Sequence, residues 1–245
     1  MLLIPSIDLR GGHTVRLYQG DFAAETRYPL GPHELLLRYR QLGASWLHIV
    51  DLDGARTGTL TNRTLIYQLA SQRAVQLQVG GGVRDGGVIE ELLRRGVARV
   101  VIGSAALEQR ELVSGWLEAY GAERVCLAFD VRYDAAQPRI RTRGWRHGSG
   151  VLLWEAIEPY LAHGLQHVLC TDVERDGALA GPNLALYREA LRRFPSLQWQ
   201  ASGGIASGTD LAALAECGVA AAISGKALLE ERIAREELQP YLPNA

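Results

Sequence analysis

Two aspartates with matching surroundings are the residues of this sequence best suited to acid–base chemistry. Asp8 lies in the segment Ile-Asp-Leu-Arg, and Asp130 lies 122 residues later in Phe-Asp-Val-Arg. Each ends a short apolar run typical of a buried parallel strand. Two facing carboxylates can take a proton from a ligand at one point and supply one at another. A single aspartate could equally cap a loop or pair with Arg10 or Arg132, but the matched pair favours a catalytic function.

Four glycine-rich segments form a second group, and their chemistry suits phosphate. Glycine lets the backbone approach a ligand closely, and each segment leads into a predicted helix whose first N–H groups attract anions. Any one segment could be only a tight turn. Their occurrence in matched pairs predicts phosphate binding by Gly81, Gly82, Gly103, Ser104, Ser202, Gly203, Gly204, Gly225 and Lys226.

An internal repeat relates both groups. Residues 78–107 and 200–229 are identical at 11 of 30 positions without a gap, and the shift of 122 residues is the one that separates Asp8 from Asp130. Chance gives about two or three identities at this composition. Twice the shift nearly equals the chain length of 245 residues. We therefore predict one domain, 1–245, made of half-barrels of about 1–122 and 123–245.

The apolar patterns that must position these residues predict eight strands alternating with eight helices. The strands are 2–9, 45–52, 75–79, 98–102, 124–130, 166–171, 197–201 and 220–224. The helices are 32–42, 61–73, 85–95, 109–120, 151–163, 183–194, 210–217 and 229–237. This alternation with a two-fold repeat predicts an α/β fold, a closed (β/α)8 TIM barrel with its active site on the loops after the strands. An open doubly wound sheet is the alternative, but it gives no reason for a half-length repeat.

Two longer connections interrupt this regular pattern. After the first strand we expect a long loop containing a small hairpin that ends near Gln19-Gly-Asp21, because residues 14–18 alternate between apolar and polar. After the fifth strand we expect a long loop through Pro138, residues 140–143 and Trp145. Both connections would lie at the mouth of the barrel.

The composition excludes several classes of function. The net charge of −1 with dispersed basic residues favours neither nucleic acid nor an anionic membrane as a partner. The three cysteines, Cys126, Cys170 and Cys217, fit reduced thiols better than disulfides. The first residues resemble neither a signal peptide nor a membrane span, so we expect a cytoplasmic protein. The six histidines lack the spacing of a metal site, so we predict no metal.

Further candidates for ligand contact lie on the predicted loops at the mouth. Each has a simpler structural explanation: turns and caps for the acidic and hydroxyl residues, surface solvation for the arginines, and packing for the tryptophan. His48, at the end of the second strand, could be only a satisfied core residue. The candidates for substrate binding are Arg16, Asp51, Arg84, Arg143, Trp145, Thr171 and Asp176.

The motifs together resemble a known family over the full length of the chain. They are the segments beginning Ile4-Pro-Ser-Ile-Asp, Val15-Arg-Leu-Tyr-Gln-Gly, His48-Ile-Val-Asp, Gly80-Gly-Gly-Val-Arg, Thr171-Asp-Val-Glu-Arg-Asp, Ser202-Gly-Gly-Ile and Gly225-Lys-Ala-Leu. The chain is similar to the phosphoribosylformimino-aminoimidazole carboxamide ribotide isomerase family of histidine biosynthesis, which are half-barrel repeat enzymes.

This resemblance implies an Amadori rearrangement, in which an aminoaldose with two phosphates becomes a ketose. It implies that Asp8 is the base at the sugar C2 and Asp130 the acid that helps to open the ring, with Asp176 a rival for the acid. It places Arg143 and Trp145 on a loop that folds onto the substrate. No cofactor is expected, and we expect a monomer that acts on a small-molecule bisphosphate.

Two relatives of this family remain as alternatives. The cyclase subunit of imidazole glycerol phosphate synthase usually has Cys where Ser6 stands and differs around Val15, which places it second. A dual-substrate isomerase that also accepts phosphoribosylanthranilate comes third.

Overall fold

The structure of the protein, a computed structural model, describes residues 1–142, 145 and 147–244. Its twelve strands within those residues form one sheet. They are β1 (Leu2–Arg10), β2 (His13–Tyr18), β3 (Asp21–Arg27), β4 (Trp46–Asp51), β5 (Gln76–Gly80), β6 (Arg99–Ile102), β7 (Val125–Asp134), β8 (Gln137–Thr142), β9 (His147–Leu152), β10 (His167–Asp172), β11 (Gln198–Ser202) and β12 (Ala221–Ser224).

Eight of these strands close into a parallel barrel. The neighbours run in the order β10, β11, β12, β1, β4, β5, β6 and β7, and β7 pairs with β10 to complete the ring. Every pairing around the ring is parallel. The predicted (β/α)8 barrel is therefore confirmed, and it places the ends of β1 and β7 four strands apart around the ring.

Helices connect the barrel strands. In the described residues they are α1 (Pro32–Leu42), α2 (Leu52–Thr57), α3 (Arg63–Ser71), α4 (Gly86–Arg94), α5 (Ala105–Glu108), α6 (Arg110–Tyr120), α7 (Leu153–Leu161), α8 (Leu184–Arg193), α9 (Gly208–Cys217), α10 (Lys226–Leu229) and α11 (Arg235–Leu238). Helix α1 shows why they form there. Pro32 has its φ preset for the first turn, the apolar face of Leu35, Leu36 and Tyr39 is buried, and Gly43 ends the helix in a left-handed conformation. None of these helices is long and apolar enough to cross a membrane.

The two strands that carry the paired aspartates are each followed by an antiparallel hairpin. The first hairpin, β2–β3, was predicted, although it does not end near Asp21 but continues to Arg27. The second prediction was wrong: instead of a long loop, β7 extends to Asp134 and pairs with β8, which pairs with β9. Buried and less buried residues alternate along β8, and Ile140 faces the core. The charged residues of β8 made this alternation difficult to recognise in the sequence.

One helical prediction needs correction, and two further helices are present. The single helix predicted for 229–237 is two short helices, α10 and α11, because Glu231 between them has a φ of 52° that no α-helix can contain. Helices α2 and α5 were not predicted. Both are short, and α2 exists because Asp51 accepts a hydrogen bond from the Gly54 N–H and Gly58 closes it.

The core lies between the barrel and its helices. Residues Leu3–Leu9 of β1 are all buried, because one face of the strand points into the barrel and the other packs under helices. A small apolar group fills the barrel interior, with Ile4, Val101, Cys126, Leu169 and Ile223. This packed layer leaves the carboxyl ends of the strands as the open side of the barrel.

Candidate active site

A cavity of about 610 Å³ opens at the carboxyl ends of the barrel strands. Its size suits a small-molecule ligand. It brings together nearly all of the predicted site residues: Asp8, Arg16, Gly81, Gly82, Arg84, Gly103, Ser104, Asp130, Trp145, Thr171, Asp176, Ser202, Gly203, Gly204, Gly225 and Lys226. Of the predicted residues that the structure describes, Asp51 alone does not line the cavity, and Arg143 lies outside the described residues.

Arg16 joins two carboxylates at the centre of this cavity. It lies on β2 and reaches back over the barrel, so that Nη1 is 2.9 Å from Oδ2 of Asp8 and Nη2 is 3.1 Å from Oδ1 of Asp176. The side chains of all three are largely buried, which strengthens these ion pairs relative to surface pairs. The Arg16 guanidinium therefore lies between the carboxylates of Asp8 and Asp176 and offsets part of the negative charge of each.

The environment of Asp8 makes it a stronger base than an ordinary aspartate. Burial and the negative charge of Asp176 raise the pKa of Asp8, and Arg16 opposes them, with the net result of about 6. At neutral pH such a group is mostly ionised, yet it binds a proton more readily than a free carboxylate does. Asp8 therefore has the protonation behaviour required of a general base.

Asp130 occupies the equivalent position on β7 with different partners. Burial raises its pKa, and Asp176 contributes in the same direction, while hydrogen bonds from the side chains of Trp145 and Thr171 oppose the shift. Thr171 is the register partner of Asp130 on the neighbouring strand β10, which explains their contact. The negative charge of Asp176 raises the pKa of both Asp8 and Asp130, so the three acidic residues interact electrostatically.

The glycine segments repeat their geometry in the two halves of the barrel. Gly81 and Gly203 have φ angles of 96° and 97°, and Gly82 and Gly204 have 82° and 86°. These left-handed conformations favour glycine. A Cβ at Gly81 would lie 2.2 Å from the Asp51 backbone oxygen, so the space also excludes any side chain there. The chain thus forms two matching backbone corners on opposite sides of the mouth.

The cationic side chains at the two corners differ. Lys226 directly follows Gly225 at the second corner, and its equivalent at the first corner is Ser104. At the first corner the cation is Arg84, which lies against Gly58, since a Cβ there would be 2.8 Å from Arg84 Nη1. Both cations line the cavity. The halves therefore share a backbone but present different charges.

The long helices α4 and α9 begin a few residues after the glycine turns. Their first turns are capped by their own side chains, since Asp85 accepts from the Val88 N–H and Ser207 accepts from the Asp210 N–H. The short helices α5 and α10 start directly after Ser104 and Gly225. At each corner the backbone nearest the cavity is therefore the glycine turn and the start of a short helix.

Asp51 has a structural position rather than a place in the cavity. It is fully buried, and its carboxylate accepts hydrogen bonds from the N–H groups of Gly54, Thr61 and Asn62 and from the Asn62 side chain. The other half contains a matching contact, in which the Asn183 amide donates to Asp172. These donors occupy both carboxylate oxygens of Asp51, which explains why it does not face a ligand.

Trp145 closes part of the mouth. Its indole contacts Asp130, and its ring lies so close to Gly20 that a Cβ there would be 2.3 Å from a ring carbon. Arg141 holds the Trp145 backbone oxygen through Nε and Nη2, at 3.2 and 2.9 Å. Gly20, between β2 and β3, therefore contacts Trp145, between β8 and β9, above Asp8 and Asp130.

Some residues of the cavity wall were not assigned from the sequence. Ser6 and His48 line it, and so does Ser224, whose hydroxyl is buried without a hydrogen-bond partner among the described residues. Their signal is a polar residue inside an otherwise apolar barrel strand. Phe22, at the tip of the first hairpin, also lines the cavity and contacts Arg56.

The fold and its mouth define a class: a (β/α)8 barrel with acid–base groups in an open cavity at the carboxyl ends of its strands. Within that class, the chain belongs to the histidine biosynthesis protein family, whose sequence model matches residues 2–234.

Its curated relatives are similar over nearly their whole length. Proteins of Alteromonas mediterranea, Aliivibrio fischeri and Vibrio cholerae are 46% identical over 237 residues, which cover 96% of this chain and 97% of each relative. All three are named 1-(5-phosphoribosyl)-5-((5-phosphoribosylamino)methylideneamino)imidazole-4-carboxamide isomerase.

Proposed function

We propose that this protein is the isomerase for which its relatives are named, an enzyme of histidine biosynthesis that converts an aminoaldose into a ketose by an Amadori rearrangement. The observation that carries the proposal is the placement of Asp8, Asp130 and Asp176 between two matching glycine corners in one cavity. The names of the relatives favour this reaction over that of the cyclase subunit.

The ligand fits the two-ended cavity. The name carried by the relatives contains two 5-phosphoribosyl groups joined through an imidazole carboxamide. One phosphate would bind at Gly81, Gly82, Gly103 and Ser104 with Arg84 nearby. The other would bind at the corner formed by Ser202, Gly203, Gly204, Gly225 and Lys226. Backbone N–H groups and one cation at each end supply the charge-assisted hydrogen bonds that phosphate requires.

The reaction needs one acid and one base. A proton delivered to the ring oxygen breaks its bond to C1 of the sugar while the attached nitrogen forms an imine with C1. Asp8 then removes the proton from C2, the electrons move toward the nitrogen, and the resulting enol becomes the C2 ketone as C1 gains a proton. The bonds and protons balance within the substrate, so the step requires no oxidant and we infer no cofactor.

We assign the acid to Asp130, because burial raises its pKa and makes it easier to protonate. Asp176 is the alternative acid and, through Arg16, sets the charge beside Asp8. Thr171 orients Asp130, and Trp145 is placed to cover a flat ring of the substrate. Arg143 stays a prediction as a further substrate contact.

The protein's surroundings follow from the same function. We infer a cytoplasmic enzyme that acts as a monomer on a small molecule. The four large hydrophobic side chains exposed in the described residues lie on separate elements: Tyr18 on β2, Leu37 on α1, Leu112 on α6 and Leu161 on α7. Exposed hydrophobic residues that occur singly are common on protein surfaces and do not by themselves indicate an interface.

The direct test is to incubate the purified protein with the aminoaldose and to follow the sugar carbons by NMR. We expect the C1 signal of the aldose to disappear and the C2 ketone signal of the product to appear. Binding of the compound without any change over time would refute the enzyme and leave a phosphate-binding barrel without chemistry.

A further inference from the structure

A chain of buried polar side chains crosses the interior of the barrel. Gln78 of β5 and Gln200 of β11 occupy equivalent positions in the two halves, and both are buried. Nε2 of Gln78 lies 2.7 Å from Oε1 of Gln200, and Nε2 of Gln200 lies 3.0 Å from Oε1 of Gln78. Reversing both amides would preserve this pair, so the pair alone does not decide which Gln78 atom faces its other neighbours.

Arg99 removes this ambiguity. A guanidinium can only donate hydrogen bonds, and Nη1 of Arg99 lies 3.2 Å from the Gln78 side-chain oxygen. The opposite orientation would set two N–H groups against each other in a buried place, which is unfavourable. The Gln78 nitrogen must therefore face the other neighbour, where it lies 3.2 Å from Nδ1 of His48.

Arg99 is itself held from the opposite side. Its Nε donates to the backbone oxygen of Glu123 at 3.0 Å, and its guanidinium stacks over the Trp46 ring at 4.5 Å. Its Nη2 lies 2.9 Å from Nε2 of His167. These contacts fix the guanidinium so that Nη1 points toward Gln78. The Gln78 side-chain oxygen must therefore face Arg99, which determines the orientation of the amide.

We propose that Gln78 is a positioning residue that holds His48 as a neutral imidazole with its proton on Nε2, so that His48 donates a hydrogen bond to an oxygen of the bound sugar phosphate. The inference rests on the proposed isomerase function for the identity of that ligand. Because Gln78 donates to Nδ1, this nitrogen must accept and carry no proton. His48 lines the cavity, and because its Nδ1 faces Gln78, the Nε2–H is the remaining donor of its ring.

The surroundings of His48 support a neutral ring. Burial, with a contribution from the positive charge of Arg16, lowers the pKa of His48 to about 4. A neutral His48 whose Nδ1 is occupied cannot remove a proton from the substrate. Proton abstraction is thereby left to the carboxylates, and the site favours a ligand that presents an oxygen acceptor to His48 over one that presents an N–H.

The repeat offers a matched pair of variants. Gln78→Leu and Gln200→Leu both destroy the amide pair and place the same apolar side chain at a buried position of equivalent strands. Only Gln78→Leu removes the partner of His48. After Gln200→Leu, the Gln78 amide still has Arg99 on its oxygen and His48 on its nitrogen.

The tautomer is measured by NMR on the ligand-free protein labelled with ¹⁵N-histidine at pH 7, with His48→Gln identifying the signals. We expect His48 in the wild type and in Gln200→Leu to have a protonated Nε2 and an unprotonated Nδ1. In Gln78→Leu we expect mixed tautomers. A proton on Nδ1 in the wild type, a charged ring, or equal changes in both variants would overturn the proposal.

Kinetics with the aminoaldose gives the second readout. We expect Gln78→Leu to lower kcat/KM roughly tenfold more than Gln200→Leu, as for one lost hydrogen bond to the ligand. If Gln78→Leu does not fold, Arg99→Met replaces it, because this variant removes the group that orients the Gln78 amide. The wild-type spectrum alone still tests which ring nitrogen of His48 carries the proton. Because the spectrum needs no turnover, an inactive wild type with the expected tautomer would refute only the isomerase. An active wild type with the other tautomer would refute only the role of Gln78.

Discussion

Arg16 determines how three acidic groups share one small cavity. Without a cation between them, the negative charge of Asp176 would raise the pKa of Asp8 further. With its two terminal nitrogens on the two carboxylates, Arg16 keeps Asp8 ionisable while burial still raises its pKa. The result is a carboxylate that is charged at neutral pH and still basic enough to accept a proton from carbon.

The pH dependence of the reaction should report this arrangement. Because the pKa of Asp8 is raised to about 6, its reactive carboxylate form is lost as the pH falls through that value. We expect kcat/KM to fall below about pH 6 rather than below the ~4 of an ordinary aspartate. Asp176→Asn removes a charge that raises this pKa, so the acidic limb should move to lower pH.

The control for this experiment is Glu174→Gln, which neutralises an exposed acid of the same loop that pairs with Arg132. It should leave the limb unchanged. A limb of the wild type near pH 4, or one that Asp176→Asn does not move, would show that Asp8 does not control the reaction in this way.

Asp130 should be indispensable for ring opening if it is the acid. The Asn side chain of Asp130→Asn can still accept from Thr171 but has no proton to give to the ring oxygen. We expect kcat to fall by about 10²- to 10⁴-fold with an unchanged circular dichroism spectrum. A loss of only a few-fold in Asp130→Asn, together with loss of turnover in Asp176→Asn, would move the acid to Asp176.

At the scale of elements, each half of the barrel uses an acidic residue to tie its second strand to the following helix. Asp51 accepts hydrogen bonds from the backbone N–H groups of Gly54, Thr61 and Asn62. Asp172 accepts one from the side-chain amide of Asn183. These contacts hold the loops on which the glycine corners rest, since the backbone of Asp51 touches Gly81. Asp51 therefore acts on the site by supporting it.

Asp51→Asn should destabilise the protein while sparing the chemistry. The amide nitrogen of the variant would face backbone N–H groups that now donate to a carboxylate oxygen. Losing those hydrogen bonds in a buried place costs about 2–4 kcal/mol. Urea unfolding should show this loss, whereas KM and kcat of the folded variant should stay within a few-fold. The exposed Asp134→Asn is the control and should change stability by less than about 0.5 kcal/mol. A large rise in KM with unchanged stability would return Asp51 to the substrate site.

The two corners differ in their cations, so one corner can be weakened separately. Lys226→Met removes one positive charge at the second corner, and we expect KM to rise about tenfold to a hundredfold, as for a lost hydrogen bond to a charged group. Arg232→Met is the control, because Arg232 pairs with Glu230 and does not line the cavity. Equal effects of both variants would argue against a phosphate at Lys226.

At the scale of the whole molecule, the repeat explains which features could be predicted from the sequence. Residues separated by about 122 positions occupy equivalent places in the two halves, so the shift identified Asp8 with Asp130 and located both glycine corners. The eight barrel strands followed from the same pattern, because buried parallel strands read as short apolar runs.

The features that the sequence did not reveal depend on contacts between distant segments. Asp51 resembles a ligand-binding residue at a strand end until the chain returns with Thr61 and Asn62 to occupy its oxygens. Strand β8 contains Pro138 and two arginines, and β9 contains two glycines, so both segments resemble a loop. Gln78 and Gln200 begin the two copies of the repeat, yet their meeting inside the barrel requires the closed ring.

In the proposed reaction, the two halves of the barrel hold a bisphosphate aminoaldose so that Asp8 can remove a proton from its sugar. The most direct measurement compares the wild type with Asp8→Asn, by calorimetric binding of the aminoaldose and by rate of ketose formation. We predict that Asp8→Asn folds and binds with an affinity within about tenfold of the wild type, because the phosphate corners are intact, while kcat falls by about 10³-fold or more. Turnover by a folded Asp8→Asn within a few-fold of the wild type would contradict the account.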